Sequence, residues 1–498
     1  MALDGILGRR RKGHNPEDGI QEYEAGPSRG GQEKDIHHDH HGRAIFNHKG
    51  HKVTKGIAPD GESGRKGIHP LKFLRICFRS SCGLSRAVNI LWPFVIPAIA
   101  LHFARPEQQL WIFILNYIAM VPTANLIGFA GQELARKLPK VFGVLLETFL
   151  GGLVEIILFI VLISRTQDNI PVIRAAILGS ILANLLLCLG FCFFAGGLRR
   201  DEQEFHEVVS EVGSGLLLVA GFGLLIPSAF YASLRAAPDV INDETLRYDV
   251  LHISRISAVI LIFAFLMYVW FQMRTHHGLY DEVLEMDEEK DHDRHKDLAK
   301  EKLTLTECIV ALVIALACVS LHAVFLVEQI EYIVVDRGIH DSFIGLILVP
   351  LVEKAAEHLT AVDEAWDNQM NFALAHVLGA TIQTALFNSS LVVIVGWGLG
   401  KAMDFNFEIF NIVVLILAII VVGNFLRDQK SNYLEGALCI LIYMIIAIAS
   451  WYYPDSVEIQ AERNSLAAEN AEKMHAMSAE GGGEGEAVAH RLMRMMMR

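Results

Sequence analysis

The chain has 498 residues, of which 52% are hydrophobic types and only 20% are charged, and its formal net charge is −13. Its apolar residues form long runs, each near the length that crosses a ~30 Å hydrocarbon layer, which excludes a soluble enzyme built on a single core. No basic stripe accompanies a nucleic-acid-binding module, so we expect no nucleic-acid partner.

Residues 1–86 are predicted to form a disordered, basic and histidine-rich tail. They carry 16 Lys and Arg residues against 10 Asp and Glu, and they include the tract DIHHDHHG. A segment this poor in large apolar residues does not bury enough surface to fold alone. Because Lys and Arg favour the cytosol in membrane proteins, we expect this tail, and with it the acidic linker further along the chain, on the cytosolic side.

The apolar runs predict an all-α polytopic membrane protein with eleven transmembrane helices. We expect a leading helix at 87–104, a first repeat at 105–272, an acidic linker at 273–304, a second repeat at 305–453 and a disordered tail at 454–498. The predicted spans are 87–104, 108–129, 141–163, 172–194, 212–231, 256–272, 305–327, 342–365, 372–399, 408–426 and 434–453. The linker and the amino-terminal tail lie outside both repeats and are expected to be dispensable for transport itself.

Two pairs of spans repeat along the chain. GVLLETFLGGLVE at 143–155 can be laid on GLILVPLVEKAAE at 345–357, which brings Glu155 opposite Glu357. ILGSILANLLLCLG at 177–190 matches VLGATIQTALF at 377–387, with Gly179 opposite Gly379. Because five helices separate the paired starts, the two copies cross the membrane in opposite directions. Inverted repeats of this kind build alternating-access transporters with a site at mid-membrane, whereas a channel, the competing class, needs an open pore.

Ionisable residues lie inside the repeated helices, where a charge costs at least ~2.5–3.5 kcal/mol. Glu155 and Glu357 are the predicted cation- and proton-binding carboxylates and the predicted metal ligands, because carboxylate oxygens bind hard cations and also accept protons. Glu353 is expected to join them, and Lys354 and Glu147 are expected to tune the charge. Neutral oxygens one helix away and nearby glycines complete the predicted site: Ser180, Asn184 and Gln383 as ligands, and Gly151, Gly152, Gly179 and Gly379 as points of helix unwinding.

At these motifs the chain resembles the calcium/proton exchanger branch of the cation/Ca2+ exchanger superfamily. The most specific segments are GLILVPLVEKAAEHLTAV, LGATIQTALF, VGWGLG and SNYLEGAL in the second repeat, with LGSILANLLLCLG and FAGGLRRDEQEF in the first. The resemblance implies a leading helix followed by two five-helix repeats, a vacuolar membrane, and Glu155 and Glu357 as the carboxylates of the exchanged ions. It also implies that His358 belongs to the site.

The chain departs from the family pattern at both carboxylates. The family's GNAVE is GGLVE here, so Gly152 replaces an asparagine, and GNAAEH is EKAAEH, so Glu353 replaces glycine and Lys354 replaces asparagine. A fixed ammonium weakens the binding of a divalent ion about twice as much as that of a monovalent ion. The alternatives to calcium/proton exchange are therefore a monovalent (Na+, K+)/proton exchanger and a non-transporting regulatory paralogue.

We therefore predict a cation/proton antiporter that moves a cytosolic cation into an acidic vacuolar lumen. The chain is expected to have no catalytic residues of an enzyme and no cofactor. Its predicted ligands are the transported cation and protons, its partner is the lipid bilayer, and a homo-oligomer is compatible with the sequence.

Overall fold

A computed structural model describes residues 36–454 apart from residues 40, 166–168, 236–240 and 292–293. The long apolar runs of the sequence fold into helices that bury their backbone hydrogen bonds, as a membrane requires. The helices are α1 Pro70–Arg79, α2 Gly83–Ala104, α3 Gln109–Ala135, α4 Val141–Ser164, α5 Ile170–Arg199, α6 Glu207–Arg235, α7 Asp243–Thr275, α8 His277–Lys290, α9 Arg294–Ala299, α10 Leu305–Val327, α11 Ile330–Val335, α12 341–353, α13 Ala355–Trp366, α14 Met370–Gly398, α15 Ile409–Phe425 and α16 Tyr433–Tyr452.

The helical architecture predicted from the apolar runs is confirmed. Within the described residues, nine helices are long and apolar enough to cross a membrane, and α15 is a shorter apolar helix. The remaining predicted span, 342–365, coincides with α12 and α13, which are separated by a break at Lys354. The strands described are β1 Gln203–Glu204 and β2 Lys430–Ser431, an antiparallel pair that joins the loops after α5 and before α16.

The repeat predicted from the sequence reappears in the backbone. Helix α5 contains a π-helical turn at Ala183–Cys188, and α14 contains one at Gln383–Asn388. The two turns are shifted by the same interval that separates Gly179 from Gly379. π-helical turns are rare and occur mostly at functional sites, so their matched positions mark equivalent parts of the two halves.

The predicted helix unwinding at Gly151, Gly152, Gly179 and Gly379 does not occur, because α4, α5 and α14 are continuous through these positions. Three of the glycines instead allow close approach. A Cβ at Gly151 would collide with the Glu357 carboxylate, one at Gly152 with the Gln383 amide, and one at Gly179 with the Leu346 carbonyl. The helical break lies at Lys354, whose φ of −92° and ψ of −5° place it between α12 and α13.

Residues 36–39 and 41–69 differ from the disordered tail expected from composition, whereas residues 1–35 and 455–498 of the two predicted tails lie outside the described residues. Arg65 Nη1 and Nη2 donate to the two carboxylate oxygens of the fully buried Glu307 of α10, each at 3.1 Å. Lys137 donates to the Gly61 carbonyl at 2.6 Å and to the Leu303 carbonyl at 2.8 Å. A bidentate Arg–carboxylate pair is strong and directional. Contacts with the helical core therefore order a segment that its own composition would leave unfolded.

The acidic linker also packs against the repeats. Asp287 of α8 is fully buried and accepts from the Asn371 backbone N–H at 2.6 Å and from the Asn371 side chain at 2.9 Å. The backbone contact satisfies one of the free N–H groups at the start of α14. Burial raises the pKa of Asp287, against the hydrogen bonds from Asn371, which lower it. The linker therefore caps the helix that carries His376 and Gln383.

Replacing Asp287 with alanine is expected to detach α8 from α14. The loss of hydrogen bonds to a buried carboxylate is expected to lower the local opening free energy of α8 by about 2 kcal/mol, which hydrogen exchange over residues 277–290 measures. Glu289→Ala is the matched control, since Glu289 is exposed on the same helix. Equal exchange in the two variants would contradict a docking role for Asp287.

Candidate ion-binding site

Three carboxylates and one ammonium meet where the two repeats join. Glu155 comes from the middle of α4, Glu353 and Lys354 from the break between α12 and α13, and Glu357 from the first turn of α13. Glu155 is fully buried, and Lys354 and Glu353 are 1% and 2% exposed. Burying this many charged groups is costly unless they are paired, so their contacts define the site.

The Lys354 ammonium links the two repeats. Its Nζ lies 2.9 Å from Glu155 Oε2 and 3.5 Å from Glu357 Oε2. The sequence places Lys354 beside Glu357, within one repeat, and the structure adds Glu155 of the other repeat as its nearer partner. The predicted metal pair, Glu155 and Glu357, is therefore separated by an ammonium of the protein itself.

Glu155 Oε2 is saturated by donors from the protein. It accepts hydrogen bonds from Thr384 Oγ1 at 2.7 Å and from Asn388 Nδ2 at 2.8 Å in addition to the Lys354 ammonium. Three donors use the lone pairs that one carboxylate oxygen offers. Sequence reasoning missed Thr384 and Asn388. The alignment of the two repeats could have identified Thr384, because it places Thr384 opposite Asn184, a predicted ligand.

The predicted polar ligands lie around the other carboxylates. The Ser180 hydroxyl donates a hydrogen bond to Glu353 Oε1, and His358 Nε2 lies 3.1 Å from Asn184 Oδ1. Gln383 is buried beside Gly152. The structure thus brings Ser180 to Glu353 and pairs Asn184 with His358, while Gln383 lies against α4 at Gly152.

A small cavity of about 40 Å³ adjoins these groups, and we call it the inner cavity. Its polar lining consists of Glu147, Thr148, Asn184, Glu353, Glu357, Thr360 and His376. Such a volume exceeds the ~10–15 Å³ that a single water needs, so one dehydrated cation or a water fits. Glu155 is outside this lining: Lys354, Thr384 and Asn388 hold its Oε2, and its Oε1 is buried without a hydrogen-bond partner among the described residues.

The oxygens that border the inner cavity have the chemistry of a cation site. Among the described residues, Glu353 Oε2 and both Glu357 carboxylate oxygens have no hydrogen-bond partner, although Glu357 Oε2 is ion-paired with Lys354. A buried carboxylate oxygen without a donor is costly and is stabilised by a proton or a hard cation. In the described part of the chain, no three acidic, His or Cys side chains are preassembled around one metal position.

Glu147, predicted to tune the charge, contacts none of these four groups. Its Oε2 lies 3.5 Å from His376 Nε2, and His376 Nδ1 lies 2.8 Å from Glu364 Oε2. Sequence reasoning missed His376 and Glu364, although both are ionisable residues inside predicted spans, which is itself a signal of function in membrane proteins.

A family model described as "Sodium/calcium exchanger protein" matches residues 108–274 and 308–452, which are the two predicted repeats without the linker. The chain belongs to this family. The resemblance drawn from the motifs around Glu155 and Glu357 is thereby confirmed.

Two named relatives are similar to this chain over most of its length. Vacuolar cation/proton exchanger 5 of Arabidopsis thaliana is 34% identical over 378 residues, covering 75% of this chain and 82% of that relative. The vacuolar calcium ion transporter of Schizosaccharomyces pombe (strain 972) is 33% identical over 343 residues, covering 69% of this chain and 79% of that relative. The unmatched parts of this chain therefore amount to about a quarter to a third of its length.

A solved structure shares the fold. The structure of native YfkE has a TM-score of 0.60 at 24% identity and covers 74% of this chain and 100% of its own. This likeness shows that the two proteins share a fold. The ions that this protein binds depend on the residues of its own site.

Proposed function

We propose that this protein is a secondary active cation/proton antiporter. The observation that carries the proposal is the inner cavity, where oxygens of Glu353 and Glu357 without donors face a space the size of one small ion. Such oxygens hold either a proton or a cation, and competition between the two for one site couples their movements. The names of the relatives, cation/proton exchanger and calcium ion transporter, support the same reaction class.

The carboxylates divide into two roles in this proposal. Glu155 is held in an ion pair with Lys354 and in hydrogen bonds with Thr384 and Asn388. Glu353 and Glu357 border the inner cavity and take up the exchanged ions. The Lys354 pair also ties α4 of one repeat to the α12–α13 break of the other, so movement of one repeat against the other is coupled to the site.

The identity of the cation depends on the charge of this cluster. The relatives' names include calcium, whereas Lys354 introduces a fixed positive charge that opposes a divalent ion twice as strongly as a monovalent one. The ion pair of Lys354 with both repeats favours Na+ or K+ as a second candidate cargo. A regulatory paralogue without transport is the outcome that the assay below would reveal.

The proposed location is a vacuolar membrane, with the amino-terminal tail and the linker in the cytosol. The vacuolar names of the relatives support the membrane, and the basic residues of the tail support the orientation. The proton gradient of an acidic lumen would then drive cytosolic cation inward.

Uptake into acid-loaded proteoliposomes tests the proposal. The purified full chain is expected to take up one or more of Ca2+, Na+, K+ and Mn2+ only while the internal pH is acidic, and collapse of the gradient with a protonophore is expected to stop it. Current without a pH gradient would indicate a channel, and no flux of any cation in folded protein would indicate the regulatory paralogue.

A further inference from the structure

A second, larger cavity lies next to the inner cavity. This outer cavity has a volume of about 380 Å³ and lies between the amino-terminal segment, the linker and the ends of α3, α4, α13 and α14. It is on the side that we assign to the cytosol. Two ionisable residues, Glu147 and His376, line both cavities. Any ion or proton that passes from one cavity to the other by this route meets these two side chains.

The imidazole of His376 connects the two cavities through its two nitrogens. Its side chain is 10% exposed. Nε2 faces Glu147 at 3.5 Å, on the boundary with the inner cavity. Nδ1 lies 2.8 Å from Glu364 Oε2, and Glu364 lines the outer cavity but not the inner one. Each nitrogen is therefore held toward a carboxylate, and the two carboxylates lie at successive points along the route.

The charges that face this histidine come from every side of the boundary. Glu147 lies on α4, Glu364 on α13, and Asp287 of the linker caps the start of α14. Glu353 and Glu357 face it across the inner cavity. The other charged residues that line the outer cavity are Asp60, Arg136, Glu288, Asp291, Arg294 and Lys302.

We propose that His376 is a proton relay between the inner and outer cavities; this inference rests on the proposed antiport. A proton released in the inner cavity binds Nε2, directly or through Glu147. The ring then gives its Nδ1 proton to Glu364, which passes it to water in the outer cavity. The ring is now neutral and protonated at Nε2, and rotation about its Cβ–Cγ bond turns this N–H toward the outer side before the next proton binds. One proton enters and one leaves in each cycle, so no other reactant is needed. Imidazole suits this task because one nitrogen accepts while the other donates.

A relay predicts a loss that a structural histidine does not. His376→Gln keeps a side chain of similar size that hydrogen-bonds but carries no exchangeable charge. Proton-driven cation uptake is expected to fall by at least about tenfold, a conservative share of what a positioned acid–base group contributes. Cation self-exchange, with the same cation on both sides and no net proton transfer, is expected to stay within about twofold of wild type, since it bypasses the relay.

The experiment compares both assays in proteoliposomes of wild-type protein, His376→Gln, Glu364→Gln and His277→Gln. His277 is the matched control, because it is a half-exposed histidine on α8 paired with Asp281 at 3.0 Å, outside both cavities. Glu364→Gln removes the next proton acceptor and keeps the proposal testable if His376→Gln does not fold.

The outcomes separate the relay from the alternatives. Selective loss of proton-driven uptake in His376→Gln or Glu364→Gln supports the relay. Equal loss of both activities, or no loss of either, overturns it and leaves His376 a structural ion pair between α13 and α14. If wild-type protein exchanges cations but shows no dependence on protons, the proposed antiport itself fails, and this result is distinct from failure of the relay.

Discussion

Replacing Glu357 by glutamine is expected to abolish proton-coupled exchange and leave the protein folded. Neither Glu357 oxygen accepts a hydrogen bond from the described residues, and the ion pair with Lys354 is the longer of the two that this ammonium makes. The carboxamide keeps the shape of the side chain but does not cycle a proton or bind a cation with full charge. We expect uptake in acid-loaded vesicles to fall at least about a hundredfold, within the range of general acid–base contributions.

Glu155→Gln is the informative comparison, because it should also stop exchange but for a different reason. Glu155 is the nearer partner of a buried ammonium, and removing one member of a buried ion pair typically costs about 3–5 kcal/mol. We therefore expect a clear fall in thermal stability for Glu155→Gln and a small one for Glu357→Gln. Equal stabilities would contradict the division of roles, and exchange at the wild-type rate in Glu357→Gln would remove that residue from the mechanism.

Much of the architecture could be predicted from the sequence because membrane-spanning helices appear in it as long apolar runs. Long apolar runs have few alternatives in a lipid bilayer, and each of the eleven predicted spans coincides with helical structure in the described residues. Charged residues within such runs are equally visible, which is why Glu155, Glu353 and Glu357 could be predicted as neighbours. The sequence repeat then indicated that the two distant segments that contain Glu155 and Glu357 lie together.

The details that the sequence did not reveal depend on side-chain direction and on contacts between distant segments. Helix periodicity places Lys354 near Glu357, but the nearer partner, Glu155, becomes known only when the two repeats are packed. The glycines illustrate the same limit, because their small size serves either unwinding or close approach. At Gly152 the structure shows close approach to Gln383, so the family's asparagine would not fit there without movement of Gln383.

Lys354 is the residue that most distinguishes this site from the family pattern, and Lys354→Asn tests what it does. The change removes the ammonium that lies between Glu155 and Glu357 and restores the amide of the family motif. The Thr384 and Asn388 donors to Glu155 remain. The cluster then carries one more uncompensated negative charge, so a bound cation should stabilise the variant more than it stabilises the wild type.

The Lys354→Asn variant is expected to favour Ca2+ over K+ relative to wild type. At an effective dielectric near 20, a unit charge ~5 Å away contributes about 3 kcal/mol to a monovalent ion and about twice that to a divalent one. Even with half of this difference lost to relaxation, the ratio of Ca2+ to K+ transport should rise about tenfold. Competition between Ca2+ and K+ in the same vesicles measures this ratio directly.

Three further variants distinguish the effect of the position of the Lys354 charge from the effect of the net charge. Lys354→Arg keeps the positive charge and is expected to leave the ratio near wild type if the larger head group is accommodated. Glu353→Gly combined with Lys354→Asn leaves the net charge unchanged. A change in the ratio of Ca2+ to K+ transport in this double variant would therefore come from the positions of the charges and not from their sum. Lys430→Asn removes an exposed lysine that pairs with Glu202 at 2.8 Å, and it controls for net charge alone. If Lys354→Asn folds and its ratio matches that of Lys430→Asn, Lys354 only holds the two repeats together and the selectivity of the site is set by other residues.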